Sequence, residues 1–191
     1  MRKVLFTVVM AAVCLTFANC EKTKKQEKVE ALVVENTVST DREAMFLAYG
    51  GAYSWYETCV VYKDNLDGEC DGTVEEVTNV FKVVKTDGES LDPYAILSHY
   101  TKDGHSQTVY HSFWLEDYPL NKEDINITFA EAYERVMQAN YPKPHSRNCV
   151  LRKQVGACLA NPQYVFGNTH AQLYVDAYTG KVSDVNPVFN N

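Results

Sequence analysis

Alternation of apolar and polar residues with a period of two constrains this chain more than any other feature. It recurs in "AYSWYETCVVYK" from Ala52, "TVEEVTNVFKVVK" from Thr73, "QTVYHSFWLEDY" from Gln107, "NCVLRKQV" from Asn148, "PQYVFGN" from Pro162 and "HAQLYVDAYTGKVSDV" from His170. A strand turns successive side chains to opposite faces, so each stretch predicts a strand with one face packed. Short polar turns separate them, such as "DNLDGECDG" and Asp87-Gly88. Strands joined that tightly pair antiparallel, because a parallel pair needs a long crossover. "TGKV" at Thr179 closes the last alternating stretch with a glycine suited to a turn.

Few helices interrupt this pattern. Thr40-Asp-Arg-Glu43 is spaced as a capping box and predicts a helix over 41–49, stopped by Gly50-Gly51. Asp92-Pro93 predicts a helix through Tyr100, ended by Lys102-Asp103-Gly104. Thr128-Phe-Ala-Glu131 is a second capping box. Behind it Phe129, Ala132, Tyr133, Val136 and Met137 fall on one helical face, and Pro142 and Pro144 bound the segment. No βαβ rhythm is present, so the fold class expected is α+β, an antiparallel sheet packed by one or two helices.

The N-terminus has a different character. Arg2 and Lys3 precede the uncharged "VLFTVVMAAVCLTFA", which reads as a secretory signal over residues 1–19, too short for a comfortable membrane span. "FANC" is similar to the lipobox of bacterial lipoproteins, although Phe17 and Asn19 depart from its usual pattern. Lipidation at Cys20 is favoured over cleavage after Ala18, which would leave an odd exposed thiol on an exported chain. The expected product is anchored in the bacterial cell envelope through that lipid alone. Residues 20–38 read as a tether, or 20–28 if Val29–Val34 docks as an edge strand. A folded domain follows over 39–191.

Export also governs the remaining cysteines, Cys59, Cys70, Cys149 and Cys158. Disulfides are expected, with the local pairing Cys59–Cys70 and Cys149–Cys158 chosen among three. A four-thiolate zinc site is the alternative, but neither pair has the short spacing of structural zinc. The net charge is −7, or −7 − 2 = −9 without residues 1–19. Acidity of that size excludes a phosphate-binding surface as the main feature, so no nucleic-acid partner is expected.

Catalytic and cofactor patterns are missing from the sequence. There is no Gly-x-Ser-x-Gly, Ser-x-x-Lys, His-Glu-x-x-His or phosphate-binding glycine loop. Asp67, Glu69, Asp71 and Gly72 begin like a calcium loop, but position twelve is Thr78 where a bidentate Glu is needed. A solvated hairpin turn is the simpler reading. His99, His105 and His111 are assigned to a helix, a turn and a strand, so no metal site is expected from them. His145 with Cys149 has the composition of a base and a thiol nucleophile, though a disulfide accounts for the Cys. Asn126-Ile-Thr128 is a formal glycosylation sequon that the helix cap explains. Tyr53, Trp55, Tyr56, Trp114 and Tyr118 are candidates for an aromatic platform that binds a glycan or small ligand. Tyr164 and Phe166 read as core.

The halves of the chain echo each other. Thr40, Glu43, Ala44, Tyr53 and Cys70 match Thr128, Glu131, Ala132, Tyr141 and Cys158 at an offset of 88, and Val83 and Gly88 match Val175 and Gly180 at 92. The echo reads either as chance or as a tandem duplication with a degenerate copy over 39–125.

"TFAEAYERVMQANY", "PQYVFGN" and "LYVDAYTGKV" together resemble PepSY-like domains, a helix opening Thr-x-x-Glu-Ala followed by strands ending Val-Asp-Ala-x-Thr-Gly-x-Val. The residues carrying this are Thr128, Glu131, Ala132, Val175, Asp176, Ala177, Thr179, Gly180 and Val182, within 126–188. The stretch 142–161, with two Pro and two Cys, departs from the family pattern. The resemblance implies an exported or membrane-attached module without catalytic residues, cofactor or metal. It implies a protein-binding role, regulating or inhibiting an exported peptidase, with an envelope or secreted protein as partner.

Overall fold

The computed structural model describes residues 32–83, 94–110, 117–156 and 160–187. The signal, Cys20, residues 20–31 of the tether, Asp87-Gly88, His111, Trp114 and Cys158 lie outside these residues. Helix α1 (Val34–Tyr49) precedes β1 (Tyr53–Tyr62), β2 (Val74–Val83), β3 (Tyr94–Thr101) and β4 (Gly104–Tyr110). Helix α2 (Phe129–Gln138) precedes β5 (Asn148–Arg152), β6 (Gln163–Asn168), β7 (Ala171–Asp176) and β8 (Val182–Ser183). The eight strands form one antiparallel sheet in the order β4-β3-β2-β1-β5-β6-β7-β8. The expected α+β class is therefore present. Each half is a helix followed by a four-strand meander, and β1 pairing with β5 is the seam.

Both helices lie on one face. Val60, Tyr62, Val77, Phe81, Leu151, Tyr164, Phe166, Leu173 and Val175 point to that face and join Met45, Phe129, Ala132 and Val136 in one core. The rings interlock: Phe129 meets Tyr164 edge-on at 4.8 Å, and Tyr62 stacks on Phe166. Alternation thus placed β1, β2, β5, β6 and β7, but not β3, and it put the start of β4 three residues late.

The helix boundaries fare less evenly. At α2 the capping box is real: Thr128 Oγ1 accepts from the Glu131 amide at 3.1 Å, and Glu131 accepts from the Thr128 amide at 2.7 Å. At α1 it is not. The helix begins at Val34, so Thr40 and Glu43 lie in its middle and the last residues assigned to the tether are helical. Gly50 ends α1 as expected, with φ +58 and its amide bonded to the Phe46 carbonyl. Asp92-Pro93 lie outside the described residues, and where the helix was expected to run on to Tyr100 the chain from Tyr94 is instead strand β3, because β2 and β4 both pair with it and "YAILSHYT" supplies β-formers. α2 stops at Gln138, well before Pro142.

The "VDAYTGKV" corner holds the start of α2. Leu173, Val175 and Ala177 are buried on the helix side. The Asp176 carboxylate accepts from the Tyr178 and Thr179 amides, and Gly180 turns the chain at φ +74. The Ala177 carbonyl then accepts from the amides of Asn126 and Ile127 just before α2. Burial tends to raise the Asp176 carboxyl, but the Thr179, Asn161 and Tyr178 hydrogen bonds outweigh it and hold the pKa below normal.

The predicted Cys59–Cys70 bond is not formed, and Cys59, Cys70 and Cys149 are free thiols. Residues two apart on β1 share a face, which puts Cys59 beside Glu57 on the side away from the helices. Cys70 packs against the core beneath α2, where its carbonyl accepts from the Tyr133 hydroxyl. The sheet lies between them.

Candidate functional site

α1 covers β1 and β2 while α2 covers β7. Between the helices, on the same face, the sheet carries a cleft of about 510 Å³. Volumes of ~300–1,000 Å³ are typical of small-molecule sites. Trp55, Leu151 and Tyr164 form the floor, with Val34 and Val38 on one wall and Ile127 and Phe129 on the other. Glu35, Arg42, Glu43, Phe46 and Lys122 stand around the mouth.

The site is braced by hydrogen bonds. Glu35 accepts from the Phe129 amide at 2.8 Å, so its charge is spent on the start of α2. The Tyr53 hydroxyl donates to the Arg42 carbonyl. The Arg42 guanidinium lies 5.9 Å from the Trp55 ring centre, over its face. Among the described residues no carboxylate pairs with it. Phe46 and Leu47 on α1 are 63 % and 79 % exposed. Together these supply an apolar floor, a cation seated on Trp55 and an exposed apolar residue, Phe46, at the mouth.

α1 packs Val34, Val38, Met45 and Tyr49 against the core, and a buried polar network in the middle of that face fixes it further. Asp41 is 1 % exposed. It accepts from Asn79 at 2.7 Å, Ser98 at 2.8 Å and the Tyr100 hydroxyl at 2.7 Å. Asn79 also donates to Thr37 and accepts from Thr58, which in turn accepts from the Trp55 indole. Burial, then the Asp41 carboxylate, pushes the Tyr100 hydroxyl up to about 12. His105 Nε2 lies 2.7 Å from Ser98 Oγ. Since Ser98 has one proton and gives it to Asp41, the imidazole N–H is the donor. Aspartate, serine and histidine thus meet, but the carboxylate engages the serine rather than the histidine. Ser98 is fully buried, so its oxygen is a bridge between strands and not an exposed nucleophile.

The face away from the helices holds a second cluster. Glu57 and Arg152 face each other across the β1–β5 seam, and Asp117 joins them from the segment linking the halves. One Arg152 nitrogen lies 3.9 Å from both carboxylates. Burial, then hydrogen bonding and repulsion from Asp117, pushes the Glu57 carboxyl up to about 7. Cys59 Sγ stands 4.0 Å from Glu57, and burial with that neighbour pushes its thiol up to about 12. It is therefore protonated and inert at neutral pH.

The sequence candidates are dispersed. Tyr53 and Trp55 enter the cleft, with Trp55 as buried floor. Tyr118 is exposed on the segment that bonds to Lys153 and, through Leu120, to the Trp55 carbonyl, and it does not line the cleft. His99 and His105 lie on adjacent strands but opposite faces, one beside Glu76 and the other on Ser98. His145 pairs with Asp67 at 2.9 Å across an exposed acidic loop. Cys149 is fully buried with its thiol pushed well up by burial, so it has no access to that histidine's surface. No three His, Cys, Asp or Glu among the described residues are grouped to hold a metal. No described helix is long and apolar enough to cross a membrane. Arg42, Val38 and Phe46 went unnoticed in the sequence, because a cleft between two helices depends on where α1 begins.

Comparison with known proteins returned no matching family, no matching curated protein and no matching solved structure.

Proposed function

We propose that this chain is a non-enzymatic binding module of the bacterial cell envelope, lipid-anchored at Cys20 and PepSY-like in its second half. It engages an envelope or secreted protein through the α1–α2 cleft and by that contact restrains an exported peptidase. The cleft is the observation that carries the reading: its apolar floor suits a protruding side chain, and exposed Phe46 at its mouth extends that surface outward. A tandem duplication is part of the proposal, supported by the repeated order of a helix and four strands in each half.

A photo-crosslinking residue tests this. Phe46→p-benzoylphenylalanine in the full chain should trap one defined envelope or secreted protein, whereas the same residue at His170 on the distant hairpin should not. Loss of the adduct in an Arg42→Glu background is expected. No adduct, or equal adducts at both positions, refutes the reading. A second reading is a small apolar ligand in the same cleft, favoured by its volume. It predicts thermal stabilisation by the ligand that Trp55→Ala abolishes.

A further inference from the structure

β4 is the open edge of the sheet. Gly104–Tyr110 pairs with β3 on one side only, and all seven residues are exposed. The opposite edge, β8, is only two residues long. In an antiparallel pair, alternate residues direct N–H and C=O away from the partner, so an edge strand offers a row of unused bonding groups. Among the described residues, no backbone group of 104–109 bonds outside the β3–β4 pair.

Folded proteins blunt such edges with Lys, Pro, a bulge or shortness. β4 has none of these. "GHSQTVY" carries no Lys, Arg, Asp, Glu or Pro, and its register with β3 is unbroken. The strand is also complementary to itself. If Gln107 faces its own copy in an antiparallel pair, Ser106 faces Thr108, His105 faces Val109 and Gly104 faces Tyr110. Ser–Thr pairs across strands are favourable, and an aromatic ring opposite an edge glycine covers bare backbone. Val109 at 47 % and Tyr110 at 44 % exposure would gain cover. No like charges meet along the strand.

We infer that β4 is the surface on which a second copy of this chain docks. The two copies pair antiparallel about a two-fold axis through Gln107, perpendicular to the sheet. The result is one continuous sheet of 8 + 8 = 16 strands with all four helices on one face. Such an interface is isologous and closed, because β4 is the single long open edge among the described residues of each copy.

The test is the mass of the full-length chain in non-ionic detergent at physiological salt, followed by light scattering over a dilution series. A dimer that dissociates on dilution is expected. Thr108→Lys places two like charges on the edge and should weaken the dimer at least tenfold, with unchanged circular dichroism showing that the fold survives. Gln107→Cys should form a disulfide-linked dimer on oxidation above the wild-type background, while His170→Cys should not. A monomer at every concentration overturns the inference. So does a dimer that Thr108→Lys leaves intact, or an open series of larger assemblies.

Discussion

Glu57→Gln isolates the energetic effect of holding a proton inside the seam. The fold lifts the Glu57 carboxyl from 4.5 to about 7. Below pH ~4.5 the side chain is protonated in both folded and unfolded chains, and the shift has no effect. Between ~4.5 and ~7 the unfolded chain ionises while the folded one keeps its proton, so stability falls as pH rises. Above ~7 the loss is complete, at about 3 kcal/mol for a shift of this size. The side chain is 10 % exposed, so solvent screening removes little of it. Gln keeps the shape and cannot ionise. Its stability relative to wild type should therefore climb by about 3 kcal/mol between pH 4.5 and 8, whatever constant offset the substitution brings. With a urea dependence of ~1–3 kcal/mol per molar, the wild-type midpoint should drop by roughly 1–3 M relative to the variant. Urea titrations of the full chain at several pH values, read by circular dichroism, give this directly. A wild-type-minus-variant difference that stays flat from pH 4.5 to 8 refutes the account.

Three further substitutions follow from the geometry. Asp41→Ala removes the acceptor of Ser98, Asn79 and Tyr100 and should lower unfolding stability by about 3 kcal/mol or more, measured by urea titration. Gly180→Ala forces a Cβ onto a residue at φ +74 and to within 2.6 Å of the Arg135 guanidinium. Arg135 can swing away but the backbone cannot, so about 1 kcal/mol of the loss should persist in an Arg135→Ala background. Thr128→Ala removes the cap of α2 and should cost about 1 kcal/mol by thermal or urea unfolding.

What the sequence disclosed depended on the range of the force involved. Strands β1, β2, β5, β6 and β7 were legible because their alternation reports a face that every residue must respect. The Thr128 cap was legible because both partners lie within four residues. The same spacing at Thr40 misled, since a capping box records local possibility and α1 had already started six residues earlier. β3 was missed because Asp92-Pro93 is a local helix signal, while two neighbouring strands decide the outcome from outside. The offset-92 echo fails in space: Val83 is on β2, the second strand of its half, and Val175 is on β7, the third of its own. Element order repeats although those residues do not. The Cys59–Cys70 pairing failed because loop length says nothing about which side of a sheet each thiol occupies. Arg42 and the cleft were out of reach for the same reason.

The seam has a consequence for how the chain reaches this structure. Within each half, neighbouring strands are joined in sequence order, so their contacts close short loops. β1 pairing with β5 does not. Glu57 meets Arg152 across 152 − 57 = 95 residues and Val61 meets Asn148 across 148 − 61 = 87. Closing a loop of that length is the slow, entropically costly step in assembling a sheet. The halves can therefore gather separately, with their union rate-limiting. Until then β1 and β5 are both unpaired along one side, and two exposed edges of the same chain invite exchange between molecules at high concentration.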